Sequence, residues 1–309
     1  MMDVSKKISR LLAGAASATP SSKRSVSLVA MTSSKMLRSV MHPGAGTSSP
    51  ARSLLLACLI VGALGVLCAH ASGEKELLAP TGHLRVGVYN GSPTSMVTDA
   101  KSGQTHGLTY DLGRELAAHL NVPVEYVTFQ RIADVIDAMR DGQLDFTVTN
   151  ATPARTEQLS FSQLLVAIEL GYLVPANSSI GRPDEMDRPG IRIGVTKGGT
   201  SERTLSAKFK NATIVPAESV KLATEMLRRG ELDVYATNKA ILFEMSDQMP
   251  GARVLDGNWG FEHMAIAIPK EREQGLPFVG SFVLEVQTNG LLERVQQEAG
   301  LRGAIKAQP

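Results

Sequence analysis

The amino-acid sequence predicts an α/β protein with two similar lobes, each a mostly parallel sheet flanked by helices. From Leu84 onward, short apolar strands alternate with amphipathic helical stretches, an order that is typical of parallel sheets. The same order starts again after the turn at Pro189-Gly190. Extended segments near Val174-Pro175-Ala176 and Ala265 to Ile268 join the two units. We therefore expect the chain to cross twice between the lobes and to leave a cleft between them.

The first unit begins with the strand Leu84–Tyr89. Leucines then recur at every fourth position from Leu108 to Leu120, which is the apolar stripe of an amphipathic helix. A second helix over Ala133–Arg140 ends at Gly142, because glycine just after the last apolar position stops a helix. Further strands are predicted at Val122–Phe129, Leu144–Thr149 and Val166–Pro175.

The second unit repeats the pattern and is followed by two closing helices. Its predicted strands are Ile191–Val195, Thr213–Val215, Leu232–Ala236 and, on the return to the first lobe, His263–Ile268. The predicted helices are Ser201–Lys210, Val220–Arg229 and Lys239–Met249, with closing helices at Leu276–Gln287 and Leu291–Glu298. We expect residues 72–175 to form the first part of lobe 1, residues 176–265 lobe 2, and residues 266–309 the rest of lobe 1.

Charge is distributed unevenly along the 309 residues, whose formal net charge is +2. Residues 1–71 contain eight lysines and arginines but a single acid, Asp3, which leaves 24 of the 32 basic and 29 of the 30 acidic residues for the rest. The part that follows the leader is therefore acidic, and we expect no nucleic-acid partner.

An apolar run of residues 54–69 follows Arg52 and ends in Ala69-His70-Ala71. A basic flank, a short apolar segment and a small-x-small site describe a secretory signal peptide, so we assign residues 54–71 to one and expect cleavage after Ala71 and a periplasmic protein. The run is shorter than the roughly 20 residues of a membrane span. Residues 1–53 are interpreted as a non-native or disordered leader, with Met36 or Met41 a more usual start.

Both cysteines, Cys58 and Cys68, lie in the expected signal peptide. The mature chain is therefore predicted to have no disulfide and no thiol chemistry. Its histidines show no paired spacing, so we predict neither a metal site nor a cofactor.

Polar side chains gather where a predicted strand ends in the stretch Asp145 to Arg155. Asn150 and Thr152 precede Arg155, whose guanidinium is a planar fork of donors that matches a carboxylate. The alternative is a solvated arginine in a loop. The position just past a strand end, beside a cleft, favours a binding residue.

A second polar cluster begins the first helix of lobe 2. Gly199, Thr200 and Ser201 follow a strand and start a helix, where free backbone N–H groups favour an anion. The alternative is that Thr200 or Ser201 is an ordinary N-cap. Thr237-Asn238 ends another strand of the same lobe and adds a further pair of polar side chains.

Four stretches in this order resemble one protein family: Gly107 to Leu112, Asp145 to Phe161, Gly194 to Thr200, and Gly230 to Asp233. From about Leu84 to Gly303 the chain resembles the bacterial extracellular solute-binding proteins, family 3, which are periplasmic polar-amino-acid-binding proteins of ABC importers. The resemblance implies a two-lobed periplasmic-binding-protein-like fold of type II, a Venus flytrap that closes on its ligand and delivers it to a membrane permease. A monomer is expected.

The resemblance also implies roles for single residues. Arg155, with Asn150 and Thr152 before it, matches the arginine that pairs with the ligand α-carboxylate, and Thr200 matches its helper in the second lobe. The acid that binds the α-ammonium falls on Asn238, which brings no charge. The resemblance also implies aromatic residues that cover the ligand, and Tyr89 is the candidate for such a residue in the wall of the pocket.

Two further functions remain open on the same fold. Periplasmic cyclohexadienyl (arogenate) dehydratases resemble the chain in their Pro-Gly and Gly-Gly-Thr arrangement, and they need an acid that protonates a leaving hydroxyl. Glu169, Glu262 and His263 are the candidates for that acid. In the other alternative, a membrane sensor takes the place of the permease.

Overall fold

The computed structural model describes residues 73–99 and 101–305. The expected leader, the signal peptide and its cleavage site after Ala71 lie outside these residues. Across the described ranges, no helix has both the length and the apolar character that a membrane crossing requires.

Twelve strands and eight α-helices make up most of the described chain, after a helical segment at residues 73–78. The strands are β1 (Leu84–Tyr89), β2 (Val97–Thr98), β3 (Thr105–His106), β4 (Val124–Phe129), β5 (Thr147–Asn150), β6 (Leu159–Val174), β7 (Arg192–Thr196), β8 (Thr213–Ala217), β9 (Val234–Asn238), β10 (Arg253–Val254), β11 (Gly260–Pro269) and β12 (Ala304–Ile305). The helices are α1 (Leu108–His119), α2 (Ile132–Arg140), α3 (Pro153–Thr156), α4 (Thr200–Lys208), α5 (Val220–Arg228), α6 (Lys239–Asp247), α7 (Leu276–Thr288) and α8 (Leu291–Glu298).

Lobe 1 is built on a mixed sheet. β1 and β4 run parallel, and Val86 of β1 forms a parallel bridge with Phe146, just before β5. β5 pairs antiparallel with β11, which in turn pairs antiparallel with β6. On α1, Leu108, Leu112 and Leu116 are at most 1% exposed. Burial of each leucine contributes about 2 kcal/mol, so the four-residue stripe seen in the sequence is the face that attaches α1 to the sheet.

Lobe 2 contains the more regular parallel sheet. β7 pairs in parallel with both β8 and β9, and β9 pairs antiparallel with the second half of β6. Helices α4, α5 and α6 follow β7, β8 and β9 in turn. Because each helix follows a strand, the helix N-termini lie at the carboxyl edge of the sheet, which is the edge that faces the cleft.

The two lobes share β6, a strand of 16 residues. From Leu159 to Leu170 it pairs with β11, and from Leu170 to Leu173 with β9. The change of partner thus occurs near Leu170, several residues before the predicted crossing at Val174-Pro175-Ala176. The predicted second crossing, Ala265 to Ile268, lies inside the sheet of lobe 1, next to β5 and β6. A continuous apolar run indicates a buried strand but not which sheet supplies its partners, and this explains both differences.

Each lobe carries the same arginine–aspartate clip at the start of its first strand. The N and Nε atoms of Arg85 donate to Asp145 Oδ2 at 2.8 and 2.9 Å. Arg192 makes the same two bonds to Asp233 at 2.8 and 2.9 Å. In lobe 1, Arg272 Nη1 also pairs with Asp145 Oδ1 at 2.5 Å. The repeated contacts support the prediction of two similar units.

Candidate functional site

A cavity lies between the lobes, at the strand ends where the sequence places its polar residues. The cavity volume that the centre of a water molecule can reach is about 40 Å³. Of the eight predicted binding residues, seven line it: Tyr89, Asn150, Arg155, Gly199, Thr200, Ser201 and Asn238. The walls come from the ends of β1 and β5 in lobe 1, from β9 and the start of α4 in lobe 2, and from the first half of β11.

Arg155 is anchored in the floor of the cavity and is 5% exposed. Its Nη1 donates to the Thr149 hydroxyl at 2.7 Å and to the Asn150 carbonyl at 3.2 Å. Burial lowers the pKa of Arg155, and the negative charge of Glu262 opposes that shift. The described residues engage Nη1 alone, so Nε and Nη2 remain as donors for a bound carboxylate.

Thr152 does not line the cavity, in contrast to its predicted position. It stands before α3, and its carbonyl accepts from the N–H groups of Arg155 and Thr156 at 2.9 and 3.0 Å. Its hydroxyl is buried, with no hydrogen-bond partner among the residues that the structure describes. The hydroxyl on Arg155 comes instead from Thr149, because the guanidinium folds back over the last residues of β5.

Both amides among the predicted residues have their oxygen occupied by a backbone N–H. Asn150 Oδ1 accepts from the N–H of His263 at 2.8 Å. Asn238 caps α6, and its Oδ1 accepts from the N–H of Ile241 at 3.1 Å. The hydrogen bonds therefore direct both NH₂ groups into the cleft, where Asn150 donates to the Thr200 hydroxyl at 3.3 Å.

The start of α4 forms the second-lobe wall. Gly199 occupies the N-cap position without a side-chain cap, and Thr200 is the first helical residue. Thr200 and Ser201 are therefore not N-caps, and their backbone N–H groups belong to the first turn, which has no intrahelical acceptors. Together with the helix dipole, these N–H groups favour an anion in the cavity.

Tyr89 lies on the opposite wall and is 9% exposed. Its hydroxyl donates to Ser92 at 3.3 Å, and the Ser92 hydroxyl is 2.7 Å from that of Thr94. Burial raises the pKa of Tyr89, so the side chain presents a neutral ring to the cavity.

Glu262, on β11, also lines the cavity. Its Oε2 accepts from Asn238 Nδ2 at 2.8 Å. Burial raises the pKa of Glu262, while the Asn238 hydrogen bond and the charge of Arg155 act in the opposite direction. From the sequence, Glu262 was predicted only as the acid of an enzyme. The feature that could have indicated a binding role is its position as an acidic residue near the start of an apolar strand.

The other two candidate acids lie outside the cavity. Glu169 pairs with Lys239 Nζ at 2.5 Å and accepts from Asn258 at 2.9 Å. His263 is exposed; its backbone N–H donates to Asn150 Oδ1, and its carbonyl accepts from the N–H of Ala151. In the described ranges, no group of three or more His, Cys, Asp or Glu side chains is arranged to hold a metal ion.

Contacts across the mouth of the cavity close the cleft. Arg131 of lobe 1 forms an ion pair with Glu218 of lobe 2, and Lys197 pairs with the same carboxylate at 2.6 Å. A methyl group built on Gly198 would lie 2.6 Å from the Cβ of Ala133. Residues of the two lobes are therefore in direct contact, as a closed cleft requires.

A model of the bacterial extracellular solute-binding proteins, family 3, matches residues 84–299. The chain belongs to this family. It is similar to the ABC transporter glutamine-binding protein GlnH of Bacillus subtilis (strain 168), with 21% identity over 252 residues that cover 79% of this chain and 91% of GlnH.

Solved structures share the fold of this family 3 protein. A mutant of ArgBP from T. maritima matches with a TM-score of 0.67 and 21% identity, covering 74% of this chain and all of that one. The ancestral amino acid-binding protein AncCDT-1, a precursor of cyclohexadienyl dehydratase, matches with a TM-score of 0.64 and 23% identity, covering 72% and 98%. The predicted α/β, two-lobed fold and the family are thus confirmed.

Proposed function

We propose that this family 3 protein is the periplasmic binding component of an ABC importer and that it carries an amino acid or a related small carboxylate to a membrane permease. The observation that carries the proposal is Arg155, a buried cation with free donors in a closed interlobe cavity. Two relatives are named for glutamine binding, and one of them is also named for an ABC transporter, which supports the same function.

Binding by lobe closure follows from the distribution of donors. Arg155 and Asn150 belong to lobe 1, whereas Thr200 and Ser201 belong to lobe 2, so a carboxylate contacts both lobes only when the cleft is closed. A ligand stabilises the closed form by this difference in contacts. In this proposal the protein is a monomer, uses no cofactor and does no chemistry on its cargo.

A thermal-shift screen of amino acids, dicarboxylates and opines on the exported protein tests the proposal. A ligand that binds only the folded state raises the melting temperature, so at least one small carboxylate is expected to do so. If none does at millimolar concentration, the proposal is rejected. N-terminal sequencing of the exported protein tests cleavage after Ala71.

A second function, cyclohexadienyl or arogenate dehydratase activity, is favoured by one observation. Glu262 lies in the cavity with its pKa raised by burial, as a proton donor to a leaving hydroxyl requires. Incubation with prephenate or arogenate distinguishes the functions, because a dehydratase forms a keto acid or phenylalanine and a binding protein leaves both substrates unchanged.

A further inference from the structure

The cavity contains one charge of each sign. Among the described residues that line it, Arg155 is the cation and Glu262 the anion. The other polar groups directed inward are mostly donors, namely the NH₂ groups of Asn150 and Asn238 and the first N–H groups of α4. A ligand that fits this cavity has hydrogen-bond acceptors for most of these donors and a cationic group for Glu262.

Asn238 is poorly placed to bind that cation. Its Oδ1 is occupied by the N–H of Ile241, and its Nδ2 donates to Glu262. An ammonium has donors only and needs an acceptor. Asn238 therefore presents the wrong group to an ammonium and instead fixes the carboxylate beside it.

Glu262 has the acceptor that Asn238 lacks. Its Oε2 receives the Asn238 amide, and Oε1 receives no donor from the residues that the structure describes. Glu262 is half-buried in the cavity wall, and a partly desolvated carboxylate with an unused oxygen is a good acceptor for a cation. Burial accordingly raises the pKa of Glu262. Among the described residues, Arg155 is the cation that opposes this shift, and a ligand carboxylate bound to Arg155 would neutralise it.

We propose that Glu262 binds the ammonium of a zwitterionic α-amino acid whose carboxylate is bound by Arg155, and that Asn238 positions Glu262. This inference rests on the proposed binding function and specifies its ligand class. The cation-binding role thus belongs to β11, not to the end of β9. An amino acid neutralises both charges of the cavity, whereas a simple carboxylate leaves Glu262 uncompensated and must bind with that residue protonated.

The test compares each protein amino acid with its deaminated carboxylic acid on the exported wild-type protein and on Glu262→Gln. Calorimetry is expected to show an amino acid that binds the wild type at least tenfold more tightly than its deaminated partner. In Glu262→Gln its affinity falls by roughly thirtyfold or more, whereas affinity for the deaminated acid is unchanged or increased. Glu169→Gln is the matched control, because it removes a glutamate carboxylate on the neighbouring strand outside the cavity.

The possible results separate this inference from the proposed function. If deaminated acids bind the wild type as well as amino acids do, or if Glu262→Gln changes amino-acid affinity less than twofold, the role of Glu262 is rejected while carboxylate binding stands. If neither class binds, both proposals fail. Should Glu262→Gln not fold, Glu262→Asp replaces it, and a shortened carboxylate is expected to reduce selectivity for the amino acid over its deaminated partner.

Discussion

Replacement of Arg155 by alanine is expected to abolish most carboxylate binding. The side chain is 5% exposed, and its hydrogen bonds to Thr149 and the Asn150 carbonyl hold it in one orientation in the cavity floor. Loss of one partner of a desolvated, hydrogen-bonded charge pair costs about 2 to 5 kcal/mol, which corresponds to a rise in Kd of roughly 30-fold to several thousandfold.

Isothermal titration calorimetry with the amino acid selected by the thermal-shift screen measures this loss. Arg155→Lys is expected to bind more weakly than the wild type but better than Arg155→Ala, because lysine keeps the charge without the planar fork. Arg182→Ala is a suitable control, since the Arg182 side chain is exposed and forms an ion pair with the exposed Asp184, outside the cavity. A Kd for Arg155→Ala within twofold of the wild-type value would refute the assignment of this arginine to the ligand.

Three further predictions concern closure, stability and pH. Gly198→Ala and Gly190→Ala both place alanine in left-handed backbone, with φ of +71° and +86°, and each should cost about 1 to 2 kcal/mol of stability. Only the methyl group at position 198 would meet the facing lobe. Gly198→Ala should therefore lower ligand affinity by about tenfold, whereas Gly190→Ala should not. Asp145→Asn should reduce the free energy of unfolding by about 3 kcal/mol, because the Asp145 side chain is 0% exposed. Asp233→Asn should reduce it by about 1 kcal/mol, because the Asp233 side chain is 34% exposed. Equal losses in chemical denaturation would contradict this. Because burial raises the pKa of Glu262 and ammonium binding needs its ionised form, amino-acid affinity should fall as the pH drops through that raised value, and the calorimetric pH profile of Glu262→Gln should be flat there.

Local sequence patterns were sufficient for most elements of the fold. β1 and α8 have the predicted limits, and α7 ends one residue later than predicted. Their apolar periodicity is strong, and glycine or a polar turn limits each end. The small strands β2, β3, β10 and β12 were not predicted, because two-residue strands carry no periodicity and depend on partners far along the chain.

The candidate site was predicted in part. Arg155, Thr200 and Asn238 stand at strand or helix ends, and strand ends of an α/β sheet converge on one edge, so local sequence indicated that they meet. Thr149 was not predicted, and Glu262 was predicted only as an enzyme's acid, for a different reason. Thr149 contributes because the arginine folds back onto it, and Glu262 because β11 carries it past the end of β9. Both depend on tertiary geometry that a local pattern does not contain.

The amide side chains show the same limit. The sequence shows that Asn238 is a neutral replacement for an acid. It does not indicate whether the amide oxygen or the NH₂ group faces the cleft. In the folded chain the oxygen of Asn238 accepts from the first turn of α6, and its NH₂ group is the one directed at Glu262 in the cleft. Residue identity therefore predicted the location of the group but not the sign of its hydrogen bond.

The strand β6 has a consequence for how the molecule comes apart. It pairs with β11 of lobe 1 from Leu159 to Leu170 and with β9 of lobe 2 from Leu170 to Leu173, so neither sheet can lose it without damage to its neighbour. Melting of one lobe would strip the other of an interior strand and expose part of its apolar core. Heat or denaturant should therefore disrupt the two lobes as a single cooperative unit, even though each has its own core and its own clip.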